Sequence, residues 1–562
     1  MAGHAPTTPL AGPPTIPLLS RLYGFGSVFG KTLRDSRRAA IAVGLGMGLT
    51  LIAVSQAIVS QFATPASRQE IADLVAAVPP IMQGLAGRPV AVETLGGYLQ
   101  YKYGTFFPLV ASLWSMLALS GTLAGEARRG SLEFVAAGPI PRRRLAFEKL
   151  VAHVTAVVLA AAAIFVSIAL AGTAFATLPG DEISAAQAAG YAVWLGALGL
   201  ASGGIAFAVA PFLGRGPALA IAGAVTFAGF ILNGYQNAIP ELAPFADLTW
   251  FGWTADHIPL ANLFDWQSVG LVAVVTVVLF AIGIEAFARR DLGATSAVPT
   301  PHLPRVLIGV RGPASRAFGE ILPVALAWGI GLGMFGLLLA GSGRSFAEQL
   351  DEAPEFRRIL EAVFPGLDLG TTGALLQLLF VEFGFILVGL AAATIVGTWA
   401  SDETAGRLEI VLAAPLARAR WALSGGLAAF AGIAVVTVLA ALGVAIGALI
   451  TGDDVLTPVV GTLVIGAYGA ALVGVGLAIG GLIGTGAAAP VVALLTVATW
   501  MIDIIAPPLG LPDAIQQLAL TSHYGQPVLG RWDVVGLCAS ALLALGGAAA
   551  GALAFTRRDL AR

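Results

Sequence analysis

Long apolar stretches separated by short charged breaks run along the whole chain. Five of them contain no Asp, Glu, Lys or Arg, and they cover residues 39–67, 150–180, 183–214, 421–452 and 455–502. A helix needs about 20 apolar residues to cross a bilayer, so each stretch can span one and the last can hold two helices. The pattern predicts a membrane protein built from spanning helices.

Twelve spans follow when the apolar runs are compared with the charged breaks between them. They are expected near 39–61, 104–125, 148–175, 186–211, 217–238, 268–288, 320–341, 372–397, 421–450, 458–482, 488–506 and 534–556. The predicted fold is an all-α polytopic membrane protein with two tandem six-helix, pseudo-symmetric halves and amphipathic cytoplasmic connecting and coupling helices. Its predicted divisions are an N-terminal tail with an interfacial connecting helix (1–38), a first half (39–292) and a second half (293–562).

Composition supports this fold. Hydrophobic residues make up 57% of the chain, charged residues only 11%, and the mean hydropathy is +0.87, whereas a soluble domain carries roughly 25% charged residues. The 71 glycines suit the close backbone approach by which membrane helices associate. Cys538 is the one cysteine, so a disulfide within the chain is excluded, and the net charge of -2 gives no indication of nucleic-acid binding.

The basic residues orient the spans. If the N-terminus lies inside the cell, 23 of the 30 Lys and Arg residues fall on the cytoplasmic side, and the C-terminus lies there too. Cytoplasmic loops of membrane proteins carry such an excess. The expected location is therefore the plasma (inner) membrane, with both termini cytoplasmic.

An internal repeat is the most informative feature. The segment GTLAGEARRGSLEFVAAGPIPRRRLAF, which begins at Gly121, recurs without a gap as GTWASDETAGRLEIVLAAPLARARWAL at Gly397. The aligned pairs are Glu126 and Asp402, Gly130 and Gly406, Glu133 and Glu409, Pro139 and Pro415, and Arg142 and Arg418. A second echo, FARRDL at 287–292 and FTRRDL at 555–560, closes each half. Six spans per half make the halves parallel, related by a pseudo-twofold axis along the membrane normal.

Each repeated segment, 126–144 and 402–420, is expected to cross some 20 residues of cytoplasmic surface, far more than a simple helix-to-helix turn needs. Apolar residues after the acidic position predict one side of a short helix, and Pro139 or Pro415 ends it because proline lacks the N–H and clashes with the preceding turn. Two such helices would form a docking surface for a twofold partner. The alternative is a pair of ordinary basic loops with solvated Glu133 and Glu409.

The order of an acidic residue, Gly, Leu-Glu, Pro and a basic cluster resembles the cytoplasmic coupling segment of ABC-2 type exporter permeases, particularly the fused twelve-span permeases of polyketide and antibiotic export. Residues 21–38 (RLYGFGSVFGKTLRDSRR) resemble that family's interfacial connecting helix. The resemblance implies that two copies of a separate ABC ATPase subunit meet the coupling segments and that spans 1, 2, 5, 7, 8 and 11 line a central route. It assigns the ATPase contacts to Glu126, Gly130, Glu133, Pro139, Arg142, Asp402, Gly406, Glu409, Pro415 and Arg418.

The resemblance also implies that this chain binds no cofactor, since ATP and Mg²⁺ are used by the partner, and that the chain is not itself an enzyme. The cargo would be an amphipathic or hydrophobic small molecule, such as an antibiotic or drug, exported across the lipid bilayer. Two alternatives stay open: a proton-coupled secondary transporter of the major facilitator type, and an ATPase-linked membrane sensor. The outer segments 67–102 and 344–368 could serve as a gate, a lid or a sensor.

Three polar positions are candidates for the substrate pathway. Glu382 lies within span 8, and an acid at membrane depth usually faces a cavity or a partner; the alternatives are an interfacial position or an arginine partner. Asn233 and Gln236 lie three residues apart at the end of span 5, where helix-end polar residues are common.

Two other patterns do not indicate a phosphate-binding or metal site. Gly30-Lys31-Thr32 lacks the first glycine of a phosphate-binding loop, since Phe25 stands there. The five histidines show no metal-ligand spacing, so no metal site is expected.

Overall fold

The structure is a computed structural model that describes residues 27–123, 140–289, 312–354, 356–358, 371–404, 406–505 and 512–558. Helices make up nearly all of these ranges. Within them the β structure is limited to a two-stranded antiparallel pair, Gly525–Gln526 with Arg531–Trp532, and a bridge between Ile258 and Leu263.

Eleven helices in these ranges are long and apolar enough to cross a membrane, and two shorter ones that meet at a 50° bend make a twelfth if they count as one span. We number the spans in chain order. They are Val28–Gln61, the bent pair Leu95–Tyr103 and Phe106–Thr122, Arg142–Ala174, Ala185–Leu213, Arg215–Tyr235, Trp266–Ala288, Pro313–Gly341, Thr372–Thr404, Arg418–Thr451, Leu456–Leu482, Thr485–Ile505 and Val534–Arg557. The predicted all-α polytopic fold is confirmed.

Several spans start earlier than their apolar runs, because polar first turns continue the helix. Span 1 begins at Val28, where the Ser27 hydroxyl accepts a hydrogen bond from the Gly30 N–H at 2.9 Å, a standard N-cap arrangement. Lys31 and Asp35, four residues apart, lie 3.1 Å from each other on the next turn. The part of the expected connecting helix that is described, 28–38, therefore runs unbroken into span 1.

Short helices fill the segment between spans 1 and 2, at Pro65–Ala76 and Pro80–Ala86, and Gly343–Asp351 follows span 7. Between spans 5 and 6 lie the short helices Pro240–Leu242, Ala243–Ala246, Trp250–Trp253 and Pro259–Ala261. Between spans 11 and 12 lie Asp513–Gln516, Leu520–His523 and Pro527–Leu529, and Leu408–Leu412 lies between spans 8 and 9. The segments expected to be outer loops are therefore largely helical where they are described.

The described residues divide into two compact units. Unit 1 takes in those of 27–75, 86–233 and 242–289, and unit 2 those of 76–85, 234–241 and 312–558. The bounds predicted from the sequence for the tail and the two halves stay predictions.

In unit 1, span 1 packs along span 3, and span 4 packs against spans 2 and 6. Small residues allow the close approach: a Cβ added to Gly44 would lie 2.8 Å from the Ala160 Cα on span 3. Spans 2 and 4 are joined by a buried hydrogen bond from the Ser202 hydroxyl to the Ser112 hydroxyl at 2.9 Å.

In unit 2, span 7 packs along span 9, and span 10 packs against spans 8 and 12, so the order of helix pairing is the same as in unit 1. A Cβ on Gly443 would lie 1.8 Å from the Gly333 carbonyl oxygen. Larger side chains at this crossing would force the two backbones apart.

A buried ion pair fastens the first outer segment of unit 1. The Arg68 guanidinium lies 3.3 and 3.4 Å from the two oxygens of Asp181, and its Nε donates to the Phe62 carbonyl at 2.8 Å. The same carboxylate accepts from the N–H groups of Leu95 at 2.9 Å and Leu178 at 3.1 Å. Because Arg68 and Asp181 are each 1% exposed, the pair is fully desolvated and its hydrogen bonds hold three chain segments together.

Candidate coupling segment

The segment 402–420 forms a compact turn, helix and turn between spans 8 and 9. Gly406 has a positive φ of +68°, a conformation that costs glycine little. The helix Leu408–Leu412 follows, with Glu409 in its first turn, where a negative charge complements the helix dipole. Pro415 comes after this helix, and span 9 begins at Arg418. The short helix that the sequence predicted for this copy is present.

Two neighbouring residues of this helix, the predicted contact residue Glu409 and the apolar Ile410, project outward. The side chain of Ile410 is 76% exposed, and Glu409 beside it is also exposed. Leu408 is only 2% exposed, so it anchors the helix to unit 2 while its neighbours remain accessible. Gly406 and Pro415 are exposed as well. We call Glu409, Ile410 and Pro415 the exposed patch.

Asp402 turns inward instead. It is 7% exposed, and its carboxylate lies 3.3 Å from the Arg316 guanidinium on span 7 and 3.2 Å from that of Arg407. These ion pairs hold the end of span 8 to the start of span 7. Its contact with a partner stays a prediction, and in this arrangement its charge is already matched within unit 2.

The sequence did not predict a further ion pair at the same end of span 8. Glu403 pairs with Arg558, just past span 12, through side chains that are 8% and 15% exposed. The Thr485 hydroxyl at the start of span 11 donates to Glu403 at 2.7 Å, and the Arg418 guanidinium donates to the Arg558 carbonyl at 2.9 Å. The repeated FTRRDL ending contains Arg558, but its partner lies 155 residues away and no local pattern indicates it.

The first copy is described only in part. Glu126, Gly130, Glu133 and Pro139 lie outside the described residues. Arg142 begins span 3 as its aligned partner Arg418 begins span 9. The residues just before them have nearly the same backbone angles, with φ and ψ of -58° and 137° before span 3 and -63° and 139° before span 9. The two copies therefore enter the membrane in the same local geometry.

Glu382 lies directly after a π-helical turn in span 8, Leu376–Val381. Such turns are rare in proteins, and many of those that occur lie at functional sites. The Glu382 carbonyl accepts a hydrogen bond from the Trp500 indole N–H on span 11 at 3.2 Å, and Asp503 is a charged neighbour of its carboxyl group. A pathway role for Glu382 stays a prediction.

Asn233 lies in the last turn of span 5, and Gln236 directly follows that span. They therefore occupy the helix-end positions that the alternative interpretation gave them, and their role in a pathway also stays a prediction.

A second repeated element precedes spans 6 and 12. In unit 1, a 3-10 turn at Pro259–Ala261 is followed by Asn262 at φ 62° and by Asp265, which caps span 6. In unit 2, the turn Pro527–Leu529 is followed by Gly530 at φ 76° and by Asp533, which caps span 12. The constant spacing of 268 residues was visible in the sequence, but the shared letters are too few to recognise without the fold.

Paired residues flank each of these turns, so that each forms a short hairpin, 258–263 in unit 1 and 525–532 in unit 2. Each hairpin packs against a glycine of a neighbouring span. A Cβ on Gly190 would lie 2.8 Å from the Pro259 side chain, and one on Gly461 would lie 2.4 Å from the Val528 Cα. In unit 1 the hairpin is also held by His257, whose Nδ1 accepts from the Asp265 N–H at 3.0 Å. Burial lowers the pKa of this imidazole, while hydrogen bonds from Ser268 lower the pKa of the Asp265 carboxyl.

Comparison with known proteins adds two findings. A family model described as "Multidrug efflux system permease Rv1217c, C-terminal domain" matches residues 312–556, which take in spans 7 to 12. The chain is 27% identical over 514 residues to the multidrug efflux system permease protein Rv1217c of Mycobacterium tuberculosis (strain ATCC 25618 / H37Rv), a match that covers 86% of this chain and 85% of the relative. Both matches are to a membrane permease, and the second extends over both units.

Proposed function

We propose that this chain is the transmembrane permease of an ATP-driven exporter of the ABC-2 type, and that it moves a hydrophobic or amphipathic small molecule, such as a drug or antibiotic, out of the cell. The observation that carries the proposal is the short helix Leu408–Leu412, which exposes Glu409 and Ile410 in a repeated segment between two spans. Similarity to a multidrug efflux permease supports the export of drugs.

The partner is a separate ATPase, two copies of which bind and hydrolyse ATP with Mg²⁺ while this chain binds neither. Burial of an apolar side chain as exposed as Ile410 against a partner is favourable, and the charge of the adjacent Glu409 would orient that contact. The cytoplasmic side is assigned from the excess of basic residues.

Ion pairs next to the exposed patch connect it to the ends of several spans. Asp402 ties the end of span 8 to Arg316 on span 7, and Glu403 ties it to Arg558 at the end of span 12. A push on the helix Leu408–Leu412 would therefore move the ends of several spans together, because ion pairs that are partly shielded from water resist separation more than fully exposed ones do. ATP-driven closure of the partner would reorient the spans by this route.

The test is efflux of ethidium from cells that produce the chain together with its ATPase. Efflux is expected to stop when ATP is depleted and to continue when a protonophore collapses the proton gradient. The reverse result would contradict the proposal and favour a proton-coupled transporter. The chain purified alone is expected to show no ATPase activity.

A matched pair of variants tests the exposed patch. Ile410→Glu is expected to reduce efflux at least tenfold, because it places a second acid on the contact surface. Leu248→Glu, at an equally exposed apolar position (73%) in a different loop, is expected to leave efflux within twofold of the wild type at equal membrane abundance. Equal efflux by the two variants would show that Ile410 is not part of the coupling contact.

A further inference from the structure

Two cavities lie at the coupling-segment end of unit 2, and Trp399 lines both of them. The first has a volume of about 40 Å³, and since one water needs roughly 10–15 Å³ measured in this way, it can hold a small polar group. Val411 of the coupling segment borders it, and its polar lining comes from Arg316, Glu320, Thr398, Asp402 and the indoles of Trp399 and Trp421.

The second cavity is larger and apolar. It has a volume of about 220 Å³ between spans 8, 9, 10 and 12, and an apolar cavity of roughly 150 Å³ is enough to bind benzene. Three of its lining residues, Leu423, Leu427 and Leu545, are 53%, 65% and 71% exposed. Exposed leucines on membrane spans face lipid, so this cavity opens toward the bilayer.

Among the residues that the structure describes, the indole N–H of Trp399 has no hydrogen-bond partner, although the residue is only 7% exposed. A buried donor without a partner is unfavourable, so a ligand that accepts a hydrogen bond from it removes that penalty. The ring is held by stacking on Trp421 at 5.5 Å. Its N–H edge lies against Gly425, where an added Cβ would come within 2.4 Å of Nε1, and both residues line the first cavity.

The charges around the first cavity balance. Arg316 pairs with Asp402 at 3.3 Å and with Glu320 at 3.1 Å, and Arg407 pairs with Asp402 at 3.2 Å. Of these residues Arg316, Glu320 and Asp402 line the cavity, and Arg407, outside the lining, supplies the second positive charge. Each acid therefore already has a cationic partner, which leaves little charge to attract a charged head group. The head that fits is therefore uncharged and carries a hydrogen-bond acceptor such as a carbonyl.

We propose that these cavities form a binding site for an uncharged amphipath that enters from the lipid, with its apolar body between spans 9, 10 and 12 and its carbonyl accepting from Trp399. The inference rests on the proposed function in taking this ligand as transported cargo. Because Val411 and Asp402 border the head-group cavity, an occupied site touches the coupling segment directly. Cargo binding and ATPase contact thus share one structural element.

The experiment is photolabelling of the full chain in phosphatidylcholine nanodiscs with an N-alkyl acetamide that carries a diazirine in its chain. Peptide mass spectrometry is expected to place the label on the lining of the second cavity, in 422–430, 477 and 545–552. Excess unreactive N-alkyl acetamide is expected to displace it. Trp399→Phe is expected to weaken that competition about fivefold, equal to about 1 kcal/mol for one net hydrogen bond.

Two matched controls keep the test specific. Trp328→Phe removes an indole N–H that already donates to the Thr394 hydroxyl at 3.0 Å, and it is expected to leave competition unchanged. Ala548→Phe fills the second cavity and is expected to abolish labelling there, whereas Ala549→Phe, at the next and exposed position, is expected to preserve it.

The proposal is overturned if a diazirine-carrying phosphatidylcholine labels the same residues and the acetamide does not displace it, because the site then holds annular lipid only. It is also overturned if Trp399→Phe and Trp328→Phe have equal effects. Binding is measured without ATP or transport, so loss of binding leaves the proposed function standing. A chain that binds the acetamide but shows no ATP-dependent efflux would contradict the proposed function instead.

Discussion

Removal of the buried guanidinium of Arg68 is a sharp test of how unit 1 is held together. Arg68→Met keeps an unbranched apolar side chain of similar length but leaves Asp181, which is 1% exposed, without its counter-charge. Loss of one partner of a buried pair costs about 3–5 kcal/mol. The N–H groups of Leu95 and Leu178 still donate to the carboxylate, so we expect the lower end, about 3 kcal/mol.

The assay is thermal unfolding of the purified chain in detergent, followed by the fluorescence of its 10 tryptophans. At roughly 2–4 °C per kcal/mol for domains of 150–250 residues, the melting temperature is expected to fall by roughly 6–12 °C. A second variant, Arg68→Met with Asp181→Asn, removes the stranded charge and is expected to recover about half of that loss.

The matched control is Arg88→Met, which breaks a 2.9 Å pair with Asp256 whose side chains are 42% and 78% exposed. Exposed pairs contribute at most about 1 kcal/mol, so its melting temperature is expected to stay within about 4 °C of the wild type. A fall for Arg68→Met no larger than that for Arg88→Met would refute the reasoning that burial makes this pair essential.

Three further outcomes are expected in the same unfolding assay. Because burial lowers the pKa of His257, its neutral form is favoured in the fold, so stability is full above about pH 6.5 and falls below it; His257→Gln should reduce that fall, and an unchanged pH profile would contradict it. Glu403→Gln should cost about 1–3 kcal/mol by leaving Arg558 without its charge partner, and an unchanged melting temperature would show that the pair is not structural. Gly461→Val should destabilise by about 1–3 kcal/mol because its Cβ meets hairpin backbone, whereas Gly546→Val, with nothing within 4 Å, should not; equal effects would count against the seating of the hairpin.

The spans were predictable because a helix that crosses a bilayer needs a long run without charged residues, and runs such as 150–180 are visible in the sequence. The ends of the spans were less predictable. Span 3 begins at Arg142 rather than near 148, because a helix continues through charged residues whose side chains can pair along it, as Arg144 does with Glu148 at 2.8 Å. Hydropathy records where a helix leaves the apolar region and not where its hydrogen bonds end.

The candidate site was predictable in its local part. Gly406, Glu409 and Pro415 specify a turn, a helix start and an exit by short-range rules, and the structure has them in those places. The burial of Asp402 was not predictable, because it depends on Arg316, which lies 86 residues away on another span. The unpaired N–H of Trp399 likewise depends on packing against Gly425, which no spacing in the chain reveals.

The central claim is that the chain presents two repeated coupling segments to a partner on one side of the membrane. Cys538 is the native cysteine, so a Cys538→Ser background allows single cysteines to be placed in each copy, as Arg144→Cys and Ile410→Cys. Both are expected to react with a membrane-impermeant maleimide in inside-out vesicles and to stay unreacted in intact cells. Labelling of the two positions from opposite sides of the bilayer would contradict the claim.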